Sequence, residues 1–333
     1  MKENIIHVLA AILLGLALPG MVVKYSQISE PKFTVPLEQT TENTENTEQP
    51  NTTGIWVLTK SGSLQWMEQD DYLTGVILAE MPTSFDEDAL CAQAIVARTY
   101  ALRRQMEGRH ENGAVCADSG CCQAYVSQVE YLCGLGYDED IAIAREAVEK
   151  TKNLVLTYDG EPIEATYFHS AGGRTEEAVA VWGVEYPYLQ AVDSPGENDV
   201  EPFTLRKYFS REELEQCLDR ILPGAPSGWI GWTTHTTGGG VESIVFAGVQ
   251  YTGTRFRSLL NLNSTAFSLE ADIEGVWITT LGKGHRVGMS QMGAQAMALQ
   301  GNTYQQILAH YYPGTRIDKL EDVQYNTSKI SKE

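Results

Sequence analysis

The sequence predicts a mixed α+β fold built of helices and short antiparallel strands. Three observations lead to this class. Capping boxes and apolar residues at helical spacing mark several helices, and short apolar segments between turn residues mark several strands. The two kinds of element follow one another without the regular strand-helix-strand order of a parallel sheet. No period of about 20 to 50 residues recurs in the chain, which excludes a solenoid or a propeller.

The predicted elements can be placed in order along the chain. The first ones are strands at 55–58 and 63–66, a helix capped by Asp70 or Asp71, and a longer helix that opens at the capping box Ser84–Glu87. The later ones are a hairpin of strands 155–158 and 163–168 around Asp159-Gly160, a helix from the capping box Ser210–Glu213, a strand at 241–246, a helix from Ser290 to Gln300, and a helix from the capping box Thr303–Gln306. Pro82 disfavours helical geometry at the residue before it, so the first helix should end near Glu80. Two helices therefore meet at a tight corner that holds Glu80.

The ends of the chain differ in composition from its middle. Residues 5–23 carry no acidic or basic side chain apart from one histidine, and a helix of these 19 residues would just span about 30 Å of hydrocarbon. A cleaved signal peptide is the alternative, but no small-x-small cleavage site follows the apolar run. We therefore predict a single transmembrane helix in an anchor at 1–24, a flexible acidic linker at 25–53, a folded domain at 54–320 and a polar tail at 321–333. Both interpretations export the folded domain.

The net charge of the chain is strongly negative. The sequence has 24 Lys and Arg against 44 Asp and Glu, a formal charge of −20, so its field repels phosphate backbones and argues against a nucleic-acid partner. Six cysteines, two of them adjacent, are too few for a disulfide framework in a chain of 333 residues. Three of them, Cys91, Cys133 and Cys217, are predicted to be small buried apolar side chains.

Glu80 is the first candidate for chemistry, because it ends an apolar run that begins at Val76. An apolar neighbourhood raises the pKa of a carboxyl group by desolvation, and the group can then act as an acid near neutral pH. The alternative is an exposed glutamate at a helix end, which is the commoner state of such a residue. The corner between two apolar helices is the observation in favour of the acid.

Arg98 is the second candidate, because it falls within the apolar stripe of Cys91, Ile95 and Leu102. A guanidinium group in such a stripe needs a partner. That partner could be a substrate carboxylate, the carboxylate of Glu80 or a carbonyl group on a neighbouring element. A structural role is the commoner one for such a residue.

The cluster of His110, Cys116, Cys121 and Cys122 is the third candidate, and it spans thirteen positions. Thiolates and an imidazole at this spacing are typical of tetrahedral zinc, and four protein ligands would close the site, as in structural zinc centres. Disulfides are the alternative, since an exported domain meets oxidising conditions. Adjacent cysteines project in different directions, so one of Cys121 and Cys122 could be left out of the site.

The segment Gly282–Ala294 is rich in glycine but differs from phosphate-binding loops. Gly288 falls one residue late for the dinucleotide pattern, and no Gly-Lys-Ser/Thr follows. The turn could bring His285, Ser290 and Gln291 together beside a helix N-terminus, which would suit a polar, acylated ligand. It could equally be a structural turn.

Four motifs, taken in order, resemble those of the stage II sporulation protein D family. They are Glu80-Met81-Pro82, Ala89–Ala101, Ala165–Ser170 with Gly172–Thr175, and Gly284–Gln291. The resemblance runs from about Trp56 to Pro313, nearly the whole folded part, and the anchor and linker are also similar to those of the family. It implies one two-lobed domain around a glycan cleft.

The resemblance implies a peptidoglycan lytic transglycosylase that cuts strands without stem peptides during engulfment of the forespore by the mother cell. Glu80 matches the family's catalytic glutamate. It would protonate the bridging oxygen and then take a proton from the C6 hydroxyl group of the same N-acetylmuramoyl ring, which closes a 1,6-anhydro bond. Hydrolases normally need two carboxylates, whereas this reaction needs one. The positions implied to bind glycan or to hold Glu80 are Arg98, Tyr167, His169, Ser170, His285 and Gln291.

The resemblance also implies partners, a location and a metal. The partners would be peptidoglycan glycan strands, the amidase stage II sporulation protein P and other engulfment membrane proteins. The chain would cross the mother-cell engulfing membrane once, with its domain in the intermembrane space. Some family members hold zinc in this region; His110, Cys116 and Cys122 fit such a site best, and Cys121 stands where a histidine is expected. Either all four residues bind one structural Zn²⁺, or a water or an outside ligand takes the fourth position.

Two other functions remain open at this point. Related domains are described as enhancers of wall amidases, which bind glycan without cutting it. Such a binding protein would not need a protonated carboxyl group at Glu80. A zinc hydrolase is disfavoured because a site closed by cysteines leaves no open position for water.

Overall fold

The computed structural model describes residues 54–134, 136–200 and 203–323. The predicted anchor 1–24, the linker 25–53 and residues 324–333 of the tail lie outside these ranges. Among the described helices, none has both the length and the apolar character needed to cross a bilayer. The described part of the chain is a mixed α+β structure with small, mostly antiparallel sheets, as predicted.

Helices and strands intermix along the described ranges. The helices are α1 (Gln69–Glu80), α2 (Glu87–Glu107), α3 (Gln128–Cys133), α4 (Asp138–Lys150), α5 (Ala178–Trp182), α6 (Glu197–Val200), α7 (Arg211–Leu218), α8 (Gly253–Leu260), α9 (Gln291–Leu299) and α10 (Tyr304–Tyr311). The strands are β1 (Gly54–Leu58), β2 (Leu64–Glu68), β3 (Val115–Cys116), β4 (Leu154–Tyr158), β5 (Glu161–Pro162), β6 (Tyr167–Phe168), β7 (Thr204–Ser210), β8 (Ile230–His235), β9 (Val241–Phe246), β10 (Val249–Thr252), β11 (Phe267–Ala271), β12 (Gly275–Leu281), β13 (Met289–Ser290) and β14 (Arg316–Lys319).

The strands pair into small sheets. Strands β1 and β2 form a hairpin, and β3 joins β1 in parallel. Antiparallel pairing places β4 between β5 and β14, β9 between β8 and β10, and β12 between β7 and β11. Strands β6 and β13 pair in parallel, with Tyr167 beside Met289 and Phe168 beside Ser290. This last pair brings two segments that are distant in the sequence side by side.

Buried apolar side chains form two large clusters. One surrounds α2 and draws on residues 55–189 and 287–312. The other lies among residues 209–278, around β7, β9, β12 and the helices α7 and α8. Helix α2 is buried at almost every position from Ala89 to Leu102, and it contacts α1, α4, α9 and α10. Its many alanines allow these helices to approach closely, which places the end of α1 against the rest of the cluster.

Two predicted helix caps are wrong. The N-cap of α2 is Asp86, whose Oδ1 accepts a hydrogen bond from the N–H of Asp88 at 3.0 Å, and Ser84 lies before it. Helix α1 begins earlier than expected, so Asp70 and Asp71 lie in its first turn instead of capping it. Their charges still favour the positive end of the helix dipole.

The predicted hairpin is shorter than expected. Strands β4 and β5 pair around Asp159-Gly160, but β5 contains only Glu161–Pro162. Proline has no N–H to donate to a sheet, and the chain leaves the sheet after it. Tyr167–Phe168, predicted to continue the hairpin, instead pairs with β13. This difference is what turns the side chain of Tyr167 toward the site.

Other predicted elements are confirmed. Ser210 caps α7 by accepting from the N–H of Glu213 at 3.2 Å, and Ser290 caps α9 by accepting from the N–H of Gly293 at 3.1 Å. Residues 241–246 form β9 as predicted.

Candidate active site and metal cluster

Glu80 is the last residue of α1 and lies where two hollows meet. The larger hollow, which we call the cleft, has a volume of about 1410 Å³. Its walls come from the segments 79–80, 100–109, 119–124, 161–169, 182–186, 283–285 and residue 291. The smaller hollow, of about 460 Å³, is lined by residues 78–84 and Tyr131. A carboxyl group at this junction can reach a bond of a chain molecule that occupies both hollows.

The carboxyl group of Glu80 is largely enclosed by protein. Burial is the largest effect on its pKa, which it raises above the usual range of a glutamate. The N–H of Ala124 donates to Oε1 at 2.9 Å and acts in the opposite direction, as do the side chains of Tyr167 and Gln291. The effect expected from an apolar neighbourhood is therefore confirmed, and Glu80 holds its proton to a higher pH than a solvated glutamate does.

Tyr167 faces Glu80 from β6. Its hydroxyl group donates to Oε1 of Gln123 at 3.1 Å, and Nε2 of Gln123 donates to the hydroxyl oxygen of Tyr72 at 2.9 Å. Burial raises the pKa of Tyr167 well above its usual range, so the phenol stays neutral. The same hydroxyl group makes a hydrogen bond with Glu80 that lowers the pKa of the carboxyl group, so Tyr167 favours the carboxylate form of Glu80.

His285 lines the cleft as a neutral imidazole. Burial is the main cause that lowers its pKa to about 4. Nδ1 accepts from the N–H of Val287 at 3.1 Å, and the ring also makes a hydrogen bond to the backbone of Tyr167. The side chain thereby fixes the strand that presents Tyr167 to Glu80.

Most of the positions that the sequence analysis singled out as glycan contacts lie on the cleft. His169 follows β6, and its ring packs edge-on against Phe203 with centroids 4.5 Å apart. Gln291 opens α9 directly after β13, so the parallel pair β6 and β13 delivers both segments to the same place. The cleft residues among the expected contacts are Tyr167, His169, His285 and Gln291.

Arg98 and Ser170 do not line the cleft. Arg98 is fully buried, and its guanidinium group donates at 2.8 to 3.2 Å to the backbone carbonyls of Val148, Thr151 and Leu154. Of the three partners that the sequence allowed for Arg98, the structure therefore shows the third, carbonyl groups on a neighbouring element. Ser170 is also fully buried and joins a β-bridge through its backbone. The glycan contacts expected of both residues are corrected to structural roles, because neither side chain reaches the cleft surface.

Arg98→Met should destabilise the fold. The change leaves three buried carbonyl oxygens without their donor, and each such loss costs about 1 to 3 kcal/mol. We expect the midpoint of chemical denaturation to fall. Arg98→Lys should lower it less, because lysine keeps the positive charge but lacks the planar guanidinium group with its several donors. An Arg98→Met variant of unchanged stability that no longer binds glycan strands would contradict this role and restore the glycan contact.

The side chains of His110, Cys116, Cys121 and Cys122 converge at one edge of the cleft. Their ligand atoms all lie within 4.8 Å of one another. Nε2 of His110 is 3.4 Å from Sγ of Cys121 and 3.5 Å from Sγ of Cys122. Tetrahedral zinc with its usual bond lengths would place a nitrogen and a sulfur ligand about 3.6 Å apart. The cluster could therefore hold a metal ion, and both adjacent cysteines face it, contrary to the expectation that one could be left out.

All six cysteines lie in the described residues, and none of them forms a disulfide. The disulfide alternative for the cluster is therefore not what the structure shows. Cys91 is buried as predicted, whereas Cys217 is half-buried and Cys133 is exposed at the end of α3. The predicted burial of these three cysteines is correct only for Cys91.

The cluster is followed directly by residues that contact the acid and its neighbour. Gln123 and Ala124 come immediately after Cys122 in the chain. They supply the acceptor for Tyr167 and the N–H that donates to Glu80. A metal ion that fixed this loop would hold both contacts in place.

Some cleft residues were not predicted from the sequence. Trp182, exposed at 41%, lines the cleft, and its ring centroid lies 5.2 Å from that of His285. An indole that is exposed inside a cleft offers a flat apolar face to a ligand. The sequence feature that could have pointed to Trp182 is the apolar run 178–184, but this run has neither helical nor strand periodicity. The N–H of Ala124 has no signal in the sequence, because every residue except proline carries one.

Similarity to known proteins extends over most of the chain. Residues 59–158 match the family described as Stage II sporulation protein. The chain is 34% identical to stage II sporulation protein D of Bacillus subtilis over 269 residues, which cover 79% of this chain and 78% of the relative. The chain belongs to the stage II sporulation protein D family. The resemblance inferred from the four motifs is thereby confirmed.

Two further relatives bear on function. The stage II sporulation protein D of Bacillus amyloliquefaciens is 35% identical over 269 residues, again 79% of this chain and 78% of the relative. An amidase enhancer of Bacillus subtilis is 28% identical over 301 residues, which cover 74% of this chain and 40% of the relative. The family therefore has relatives named for sporulation and one named for the enhancement of an amidase.

Proposed function

We propose that this protein is a peptidoglycan lytic transglycosylase, which cleaves glycan strands between N-acetylmuramic acid and N-acetylglucosamine during engulfment. The observation that carries the proposal is the carboxyl group of Glu80, which is buried at the junction of two hollows and has a raised pKa. A strand that lies through both hollows would bring a glycosidic oxygen within reach of this acid. Membership of a sporulation family supports the biological setting.

One carboxyl group suffices for both steps of this reaction. Protonated Glu80 gives its proton to the bridging oxygen, the bond from that oxygen to C1 of the muramoyl ring breaks, and the electron pair leaves with the N-acetylglucosamine. The muramoyl ring is then an oxocarbenium-like cation. Glu80, now a carboxylate, takes the proton of the C6 hydroxyl group of that ring, whose oxygen bonds to C1 and closes the 1,6-anhydro ring. Glu80 ends the cycle protonated, and no water is consumed.

The surroundings of Glu80 suit an acid that must also become a base. Burial favours the protonated form, whereas the N–H of Ala124 stabilises the carboxylate that the first step leaves behind. Tyr167 and Gln291 can make hydrogen bonds to either form without losing a proton of their own. Both protonation states of Glu80 are therefore accessible within one reaction cycle.

Three other acidic residues line the cleft, Glu107, Glu161 and Glu164, and the first and last of them form ion pairs with arginines. Glu164 contacts Arg104 and lies 3.0 Å from Nε of Arg103, and Glu107 pairs with the same two arginines. A hydrolase of the usual kind needs a second carboxylate, free to activate water or to attack the sugar. The engagement of these two carboxylates supports a mechanism with a single acid.

Activity should fall as the pH rises through the pKa of Glu80, because the first step needs the protonated form. Since this pKa is raised, the decline should occur at a higher pH than for a solvated glutamate. His285, with a pKa of about 4, is already neutral there, and Tyr167 ionises only at a much higher pH, so neither accounts for the decline. The pH profile of kcat/KM measures this effect. A rate that increases with pH over this range would contradict an acid at this position.

The raised pKa of Glu80 should also make the stability of the protein depend on pH. The folded state favours protonated Glu80, so its contribution to stability is complete at low pH and is lost as the pH rises through the raised pKa. The free energy of unfolding of the wild type should therefore decline over this range relative to that of Glu80→Gln.

We also propose that the cluster of His110, Cys116, Cys121 and Cys122 holds one structural zinc ion through an imidazole and three thiolates. Four protein ligands would leave no position for a reactive water. The ion would fix the loop that carries Gln123 and Ala124 and would not touch the bond that is cut.

The location and the partners are part of the proposal. The apolar segment 5–23 would anchor the chain in the membrane by a single pass, with the domain outside the cytoplasm and next to the wall. Glycan strands would be the substrate. An amidase, stage II sporulation protein P, would act before this protein by removing stem peptides.

Mass spectrometry of the products tests the proposed activity. The purified protein is incubated with peptide-free glycan strands, and the new ends are weighed. Anhydro ends, lighter by one water than the ends left by hydrolysis, are the expected result. Ordinary reducing ends would overturn the proposal.

A glycan-binding enhancer of an amidase is the second candidate, and the similarity to an amidase enhancer is the observation that favours it. Such a protein would bind strands and leave them whole. Uncut strands at saturating protein, together with a faster amidase, would favour this candidate over the enzyme.

A further inference from the structure

We propose that Lys283 binds the free lactyl carboxylate of a muramoyl residue and thereby makes the cleft selective for strands without stem peptides. The inference rests on the proposed function and specifies its substrate more closely. When an amidase hydrolyses the bond between the lactyl group and the stem peptide, water adds across a neutral amide and leaves a carboxylate on the strand. A peptide-free strand therefore carries a negative charge at each lactyl group, where an intact strand has a neutral amide.

The charge of the protein works against such a substrate unless a local cation offsets it. The formal net charge is −20, which repels an anionic strand. The cationic side chains on the walls of the cleft are Arg103, Arg104, Arg109 and Lys283. The first two form ion pairs with glutamates, and Arg109 donates to the carbonyl of Cys121 at 2.8 Å. Within the described residues, Lys283 is the cleft cation whose side chain has neither a carboxylate nor a carbonyl partner.

The backbone at Lys283 is fixed on both sides. Its N–H donates to the carbonyl of Ser170 at 2.8 Å, and its own carbonyl accepts from the N–H of Ser170 at 3.1 Å. Gly282 and Gly284 on either side have φ angles of +69° and +117°, in the region that favours glycine. A Cβ atom at Gly284 would lie 2.8 Å from Cβ of Phe168. A turn of this kind holds the position of Lys283 beside β6 and its Tyr167.

The side chain of Lys283 is exposed and free to meet a ligand. Its ammonium group lies 5.7 Å from the ring centroid of Phe203, an aromatic contact that leaves its hydrogen-bond donors available. The next residue but one is His285, which lines the same wall. An ammonium group at this place can donate a hydrogen bond to a carboxylate on a muramoyl ring bound in the cleft. Its hydrogen bond to the neutral amide of an intact strand would be much weaker.

Binding to the inactive Glu80→Gln form of the full chain tests this without turnover. The probes are short peptide-free strands with free lactyl carboxylates and the same strands with these groups converted to methyl amides. We expect the carboxylate strands to bind about tenfold more tightly, the worth of one charge-assisted hydrogen bond. Adding Lys283→Gln should remove this preference, and Lys283→Arg should keep it. Lys207→Gln is the matched control, because Lys207 is also exposed and lies over a phenylalanine ring but is not on the walls of the cleft.

Two results would overturn the inference. The first is that the Glu80→Gln variant and the double variant with Lys283→Gln added bind the carboxylate strands equally tightly. The second is that adding Lys283→Gln weakens the binding of carboxylate strands and amide strands equally, because this would indicate a structural effect of the substitution. The readout does not depend on cleavage. If the protein shows this preference but never cuts a strand, the lytic activity fails and the recognition of the carboxylate stands.

Discussion

Glu80→Gln should abolish the release of 1,6-anhydro products and leave strand binding intact. The amide keeps the shape of the carboxyl group but cannot give a proton to the bridging oxygen or take one from the C6 hydroxyl group. Loss of a general acid typically lowers a rate by about 10²- to 10⁴-fold, and here one group acts in both steps. Initial rates of product release from peptide-free strands, with affinity measured separately, check this prediction.

Glu146→Gln is the matched control for this change. Glu146 is an exposed glutamate on α4 that pairs with Lys150 at 3.3 Å and lies off the cleft. Its variant should cut strands at the wild-type rate. Full activity of Glu80→Gln would refute the acid role. A loss of affinity as large as the loss of rate would show that Glu80 holds the strand and does not move protons.

Cys116→Ser should lower both the metal content and the thermal stability of the protein. If the cluster binds zinc, elemental analysis of the wild type should find about one zinc per chain. Because the site does not exist in the unfolded chain, metal binding adds to the free energy of folding. A loss of about 3 kcal/mol would lower Tm by roughly 5 °C in a domain of this size. Activity should fall only as far as the loop that carries Ala124 loosens.

Cys133→Ser serves as the control for the metal prediction. Cys133 is exposed and lies outside the cluster, so its variant should keep both the metal and the wild-type Tm. Metal-free wild-type protein with Cys116 in a disulfide, and with a Tm that a chelator does not change, would contradict the metal site.

Local features of this chain were predictable from the sequence. Pro82 placed the end of α1 at Glu80, and the apolar run before it indicated the raised pKa of that carboxyl group. The spacing of His110 and the cysteines indicated the cluster, because its four residues are close in the chain as well as in space. These features depend on neighbours in the sequence, and the sequence displays such neighbours directly.

The features of the fold and the site that the sequence did not predict depend on contacts between segments that are distant in the chain. An apolar stripe indicates that Arg98 is buried, but only the fold shows that carbonyls in the last turn of α4 and just after it accept from its guanidinium group. The pairing of β6 with β13 has no local signal, since each strand has two residues. Ser170 is fully buried and pairs through its backbone with Lys283, and its position in a motif does not show this distant contact.

The fate of water at C1 tests the mechanism most directly. Peptide-free strands are cut by the wild-type protein in water labelled with heavy oxygen, and the new ends are analysed by mass spectrometry. The mechanism predicts anhydro ends without label, because the oxygen that bonds to C1 comes from the C6 hydroxyl group of the same ring. A labelled reducing end would show that water attacked C1, and it would contradict catalysis by Glu80 alone.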